Sequence, residues 1–203
     1  MARSKEFDPE VALDAAMRLF WRNGFARTST QDLVAELGIA RASLYDTFGS
    51  KRGLYLAALD SYLAGAGGQV PQLVAQRAES GLAAVRALLK AATALPEVGL
   101  PPGCFTVNAT VEHGDGDSEI SARLDTNRDR MESVFRGALA RARAEGTLGA
   151  DVDLDTAAVL LSTVLTGLQV LSRAGESQSH RIDRTIDATM NTLFVSTRLA
   201  KRG

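Results

Sequence analysis

The chain has 203 residues, of which 45% are hydrophobic, 23% charged and only 5% aromatic, with a formal net charge of −1. That balance provides a buried core, excludes wholesale disorder and leans away from a β-rich fold. The single cysteine, Cys104, excludes an internal disulfide and fits a reducing cytoplasm.

The first residues, MARSKEFDPE, contain no apolar stretch of the kind a signal peptide needs. Asp8-Pro9 then reads as a helix start, an Asp cap followed by Pro at the first helical position. Val11, Ala12, Ala15, Ala16, Leu19 and Phe20 recur at helical spacing, and Asn23-Gly24 ends the element. Ser29 opens a second helix, with Asp32 three residues on in a near capping box. Leu33, Val34 and Leu37 form its buried face, and Gly38 stops it after about two turns. Ile39 and Ala40 bridge to a third short helix, Arg41 to about Thr47, burying Leu44 and Phe48. After Gly49, Ser50 caps a fourth helix carrying Leu54, Tyr55, Ala58, Leu59 and Tyr62.

Gly65, Gly67, Gly68 and Pro71 mark a looser stretch, so a domain boundary is expected between Tyr62 and Gln76. Further helices are expected from about Gly81 to Ala94, from Gly103 to about Val111, from Ser118 to about Glu145, from Asp155 to near Ala174, and from Ser179 to about Leu199. Pro96, Gly99, Pro101 and Pro102 form a loop between the first two of these, and 113–117 forms a turn. The most apolar segment, Ala157 to Leu171, is broken by Ser162, Thr163, Thr166 and Gln169, so no membrane span is expected. The predicted class is therefore all-α.

Two helices of about two turns each are too short to be stable alone. Joined by a tight turn containing Gly, they fit the helix-turn-helix pattern. The second of the pair would turn Arg41, Ser43, Tyr45 and Thr47 outward while Leu44 and Phe48 point in. Arg pairs bidentately with guanine, and Ser or Thr bonds either base type. Thr28, Ser29 and Thr30 at one helix start, and Ser50, Lys51 and Arg52 at another, could hold phosphates on free backbone N–H groups. Net charge does not support this reading: residues 1–52 carry 8 basic and 7 acidic groups, and the remainder 15 and 17. On spacing alone, the three helices could equally be a small bundle with Tyr45 in its core and Lys51 and Arg52 on a solvated face.

The run TSTQDLVAELGIARASLYDTFGSKRGLYLAAL resembles the N-terminal domain of the TetR/AcrR family of transcriptional regulators. The match lies in the Thr/Ser cluster, Gly38, the Leu44-Tyr45-x-x-Phe48 core and the Ser50-Lys51 helix start, and extends from about Asp8 to Leu59. The resemblance implies that Arg41, Ala42, Ser43 and Tyr45 face bases or backbone and that Lys51 holds a phosphate. Ala40 departs from the family pattern where Ser or Thr usually caps the recognition helix, which should weaken that cap by about 1 kcal/mol. Asp46 stands where His is frequent.

The same resemblance implies a DNA-binding domain over 1–62 and a helical effector-binding and dimerisation domain over 63–203. The expected protein is a cytoplasmic homodimer, most simply a repressor, that releases a palindromic operator when an unidentified small molecule binds, with no membrane association. The pocket is expected beside the Gly103–Val111 helix, lined by Cys104, Phe105, Asn108, Val111, Phe135 and Leu139. Cys104 reads either as a small buried hydrophobe or as a reactive thiol at a helix N-terminus. The last two helices, through Leu161, Val164, Leu168, Ile186, Met190 and Leu193, are expected to form the dimer interface, unless both stripes only fill the chain's own core. No cofactor or metal is expected. Glu112, His113, Asp115, Asp117 and Glu119 lack the spacing of a calcium loop, and 65–68 lacks the strand and Lys-Ser/Thr of a phosphate loop. With two histidines and no Ser-His-acid arrangement, catalysis is not expected. A helical enzyme or carrier, or a purely structural bundle, would leave the polar outward face of the Arg41 helix unexplained.

Overall fold

The computed structural model describes residues 7–65, 67–91, 93 and 100–194. It is all-α, and the described residues form ten α-helices. They are α1 (Pro9–Asn23), α2 (Thr30–Leu37), α3 (Arg41–Phe48), α4 (Lys51–Ala64), α5 (Gln69–Arg77), α6 (Gly81–Ala91), α7 (Phe105–His113), α8 (Ser118–Ala144), α9 (Leu154–Arg173) and α10 (Ser179–Phe194). The expected extensions to Ala94 and Leu199, and the loop residues Pro96 and Gly99, lie outside the described residues.

Local signals start and stop the N-terminal helices. Asp8 accepts the Glu10 N–H, with Pro9 in the first turn. Ser29 and Asp32 form a reciprocal capping box, satisfying two donors that helix geometry leaves open. Gly38 then turns the chain with φ 63° and ψ 26°, the left-handed region a side chain rarely adopts. Ala40 provides no side-chain cap for α3, and Ser50 caps α4 by accepting the Gly53 N–H.

α5 occupies part of the stretch that its sequence marks as loose. Pro71 and three nearby glycines suggested a loose linker, yet Pro71 sits in the first turn of α5, where its missing N–H has no intrahelical acceptor to lose. Two cores hold the chain. One joins α1–α4 through Phe20, Leu33, Leu44, Leu54 and Tyr55, and takes in Cys104, Phe105 and Ala109 near α7 with Ile120 and Leu124 of α8. The other is built by α6, α8, α9 and α10 around Leu88, Phe135, Leu139, Leu161 and Ile186. The packing therefore does not divide where the loose glycine stretch lies. α9 is long and apolar enough to cross a membrane, but it packs along α8 and its Leu161, Leu165 and Leu168 are buried in the second core.

Candidate nucleic-acid interface and internal cavity

Leu44 is fully buried, and it fixes which side of α3 looks outward. Arg41 and Ala42 are exposed, and Ser43, Tyr45 and Thr47 are half-buried. The Tyr45 phenol lies 3.3 Å from the Thr30 hydroxyl of α2, and the Arg41 guanidinium sits 5.6 Å from the Tyr45 ring centroid. The contact with Thr30, and then the one with Arg41, hold the Tyr45 phenol below its ordinary pKa. The three side chains thus form one polar patch across the helix pair. Its capping partner Ser29 is exposed beside it, and the Ser29 hydroxyl and N–H draw the Asp32 carboxyl below the usual carboxylate range.

Thr28 differs from expectation. It is fully buried and its hydroxyl donates to the Gly24 carbonyl at 2.6 Å, so it serves the α1–α2 turn rather than the outer face. Lys51 places its ammonium 4.2 Å over the Phe25 ring, a cation–π seat that orients it at the start of α4. Arg52 turns away from this face. It forms two 2.8 Å hydrogen bonds to Asp117 and a 2.6 Å pair with Glu119, at the start of α8. Asp117, which also caps α8, is held down to about 2 mainly by that guanidinium.

The acidic end of α7 grips the turn that follows the first helix. Glu112 accepts the backbone N–H groups of Phe25 and Ala26 at 2.8 and 2.6 Å. A side chain at Gly24 would meet that carboxylate at 2.9 Å, on a backbone with φ 84°. The carbonyls that end α1 are gripped as well: Asn108 donates to Trp21 O at 3.2 Å, while Arg173 donates to Trp21 O at 3.3 Å and to Arg22 O at 3.1 Å. None of these contacts is readable from sequence, because each pairs residues 65 or more positions apart.

A cavity of about 540 Å³ lies between α1 and the helices α4 to α9. Trp21, Tyr62, Cys104, Thr106, Leu124, Asn127, Met131 and Leu165 are on its wall. Of the six expected lining residues, only Cys104 is there. Its Sγ is 3.0 Å from the Thr106 hydroxyl and 3.4 Å from the Tyr62 hydroxyl, whose pKa burial pushes up. Phe105 is in the aromatic cluster with Trp21, Tyr55 and Tyr62. Asn108 is committed to the Trp21 carbonyl, and Val111 is 80% exposed. Phe135 and Leu139 fill the second core, on the half of α8 beyond the cavity. On α7 it is Thr106, Val107 and Thr110 that face the space, a stripe set by where the helix begins.

The expected dimer residues separate likewise. Leu161, Leu168, Ile186 and Met190 are buried in the chain's own core, so they are not available to a partner. Leu160 and Val170 remain about half exposed, and Leu160, Val164 and Leu193 line an open groove with Arg184, Ala188 and Thr192 of α10. A helix apolar over most of its circumference has two stripes, and the unused one is offset by about one residue, or 100°.

Residues 12–58 match the family described as bacterial regulatory proteins, tetR family, and residues 81–189 match the tetracyclin repressor-like C-terminal domain. The chain is 32% identical over 195 residues to YezE of Bacillus subtilis (strain 168), an uncharacterised HTH-type transcriptional regulator, covering 95% of this chain and 100% of that protein. It is 32% identical over 178 residues to the transcriptional repressor ComR of Escherichia coli (strain K12), covering 86% of this chain and 84% of ComR. A solved structure of the TetR family regulator CifR, a cysteine mutant complexed with 26-base-pair operator DNA, superposes with a TM-score of 0.82 at 30% identity, covering 95% of this chain and 100% of that one.

Proposed function

The chain belongs to the TetR family of bacterial helix-turn-helix transcriptional regulators, and from that membership we propose that it is a cytoplasmic repressor that binds a near-palindromic operator as a homodimer and releases it when a small molecule fills the internal cavity. Residues 1–62 carry the DNA contacts, and residues 63–203 carry the dimer contacts and most of the effector cavity, to which α1 and α4 add Trp21 and Tyr62. It acts by binding rather than catalysis. The observation that carries the reading is the outward patch of Thr30, Arg41 and Tyr45 set by the buried Leu44.

Arg41, Ala42, Ser43 and Tyr45 meet base edges and adjoining sugar–phosphate, while Ser29, Thr30 and Lys51 hold phosphates at two helix starts. One eight-residue helix contacts too few bases for the ~10⁻⁸–10⁻¹¹ M affinities of specific regulators. Two copies are therefore joined through the outer stripe of α9 and α10, at Leu160, Val164 and Ala188, placing two α3 helices in successive major grooves about 34–36 Å apart.

Release follows from what grips α1. α7 forms part of the cavity wall and ends in the Glu112 contact with Phe25 and Ala26. α9 also lines the cavity and ends at Arg173, which holds the last carbonyls of α1. A molecule that reseats either helix moves the helix-turn-helix relative to the dimer face. An effector must favour the released geometry; a ~100-fold preference supplies about 2.7 kcal/mol. Selecting random duplexes with the purified chain and sequencing the survivors tests the DNA claim. An inverted repeat is expected, and an unenriched pool refutes it.

A further inference from the structure

Two side chains on the cavity wall carry a buried polar atom without a hydrogen-bond partner, Nε1 of Trp21 and Oδ1 of Asn127. Trp21 is 6% exposed. Buried polar groups are nearly always paired, because an unpaired one forfeits its hydration. The indole N–H is a donor only, whereas the Asn127 amide can present either end by rotation. Several other polar groups on the wall are already committed: the Thr110 hydroxyl donates to Thr106 O, the Thr166 hydroxyl to Ser162 O, and the Tyr62 and Thr106 hydroxyls meet Cys104 Sγ, while the Ser162 hydroxyl and the Gln169 amide add two further polar points. Among the described wall residues Arg128 alone is charged, and it is paired with Asp125 at 2.8 Å. A cation would find no carboxylate there and would lose its hydration uncompensated.

We infer that the cavity takes an uncharged, mainly apolar molecule bearing a carbonyl-type oxygen, which accepts the Trp21 indole N–H while Asn127 pairs with a second polar edge or a bridging water. The inference rests on the effector reading above and deepens it. Trp21 belongs to α1, and its own carbonyl is held by Asn108 and Arg173. A ligand oxygen on the indole is therefore fixed to the helix that carries the helix-turn-helix, so recognition and signal share one residue.

The test is calorimetric titration of the full chain with cyclooctanone and cyclododecanone, and with the ammonium compounds of the same ring frames. It is repeated on Trp21→Phe, which keeps the ring's bulk but has no N–H. Trp21 is the only tryptophan, so its emission in the wild type gives a second readout that needs no variant. Ketone binding about tenfold tighter than ammonium binding, a loss of about tenfold in Trp21→Phe, and a red-shifted emission on ketone binding are expected. Undetectable ketone binding, equal binding by both proteins, ammonium binding as tight as ketone, or unmoved Trp21 emission at saturation each overturns it. Operator affinity is measured in the same samples. Trp21-dependent ketone binding that leaves operator affinity unchanged upholds the ligand class and removes the effector reading instead.

Discussion

The carboxylate of Glu112, at the end of α7, accepts two successive backbone N–H groups, those of Phe25 and Ala26, in the turn between α1 and α2. The same Phe25 presents its ring to the Lys51 ammonium at 4.2 Å. One acidic side chain at the end of a helix that lines the cavity thereby positions the turn that leads into α2, and with it the ring that seats the cation at the start of α4.

Glu112→Ala is expected to speed hydrogen exchange at Phe25 and Ala26 by about tenfold, since each freed N–H loses a charge-assisted bond partly screened by solvent. Amides of α8 to α10 should keep their protection. Exchange measured by NMR at those sites checks it. Uniform loss of protection would mean that Glu112 supports the whole fold rather than this joint.

Lys51→Ala is expected to weaken binding to every duplex alike and to flatten the slope of log affinity against log salt by about one unit per protomer. Loss confined to one sequence would show that Lys51 reads bases. Titrations at several salt concentrations distinguish the two.

The Arg52–Asp117 pair joins the start of α4 to the start of α8. Asp117 is depressed from 3.8 to about 2 in the folded chain, so the pair's contribution is fully present above pH 3.8 and is lost as pH falls toward 2. Thermal midpoints across that window should fall more steeply for wild type than for Arg52→Ala. Parallel curves would show that the pair contributes nothing to stability.

Leu160→Glu is expected to give a folded monomer with little operator affinity, because Leu160 is 46% exposed and lies on the outer stripe. Leu168→Ala, by contrast, should cost about 2–5 kcal/mol of stability through a core cavity. Sedimentation and chemical denaturation separate these outcomes. A dimeric Leu160→Glu protein would place the interface elsewhere.

The elements that local chemistry determines were legible in the residues. Asp8-Pro9, the Ser29–Asp32 box, Gly38 and Ser50 each define a helix end by contacts within four residues, and the polar patch of α3 follows from Leu44 being buried. What failed depends on partners distant in sequence. Periodicity showed that α9 is apolar all round, but which stripe the chain keeps is decided by α8 and α10, and that choice takes Leu161 and leaves Leu160. Asn108, expected to line the pocket, instead pairs with the Trp21 carbonyl, 87 residues away. The cavity itself is walled by residues from seven helices, a convergence that spacing along one helix does not encode.

The most direct test of the account is the affinity ratio between a selected operator and a random duplex at physiological salt, for wild type and Arg41→Ala. The account predicts at least ~10³-fold preference in wild type, and a fall of about tenfold or more in Arg41→Ala, with affinity for random DNA falling by far less. A wild-type chain that binds the selected operator no better than random DNA would contradict it.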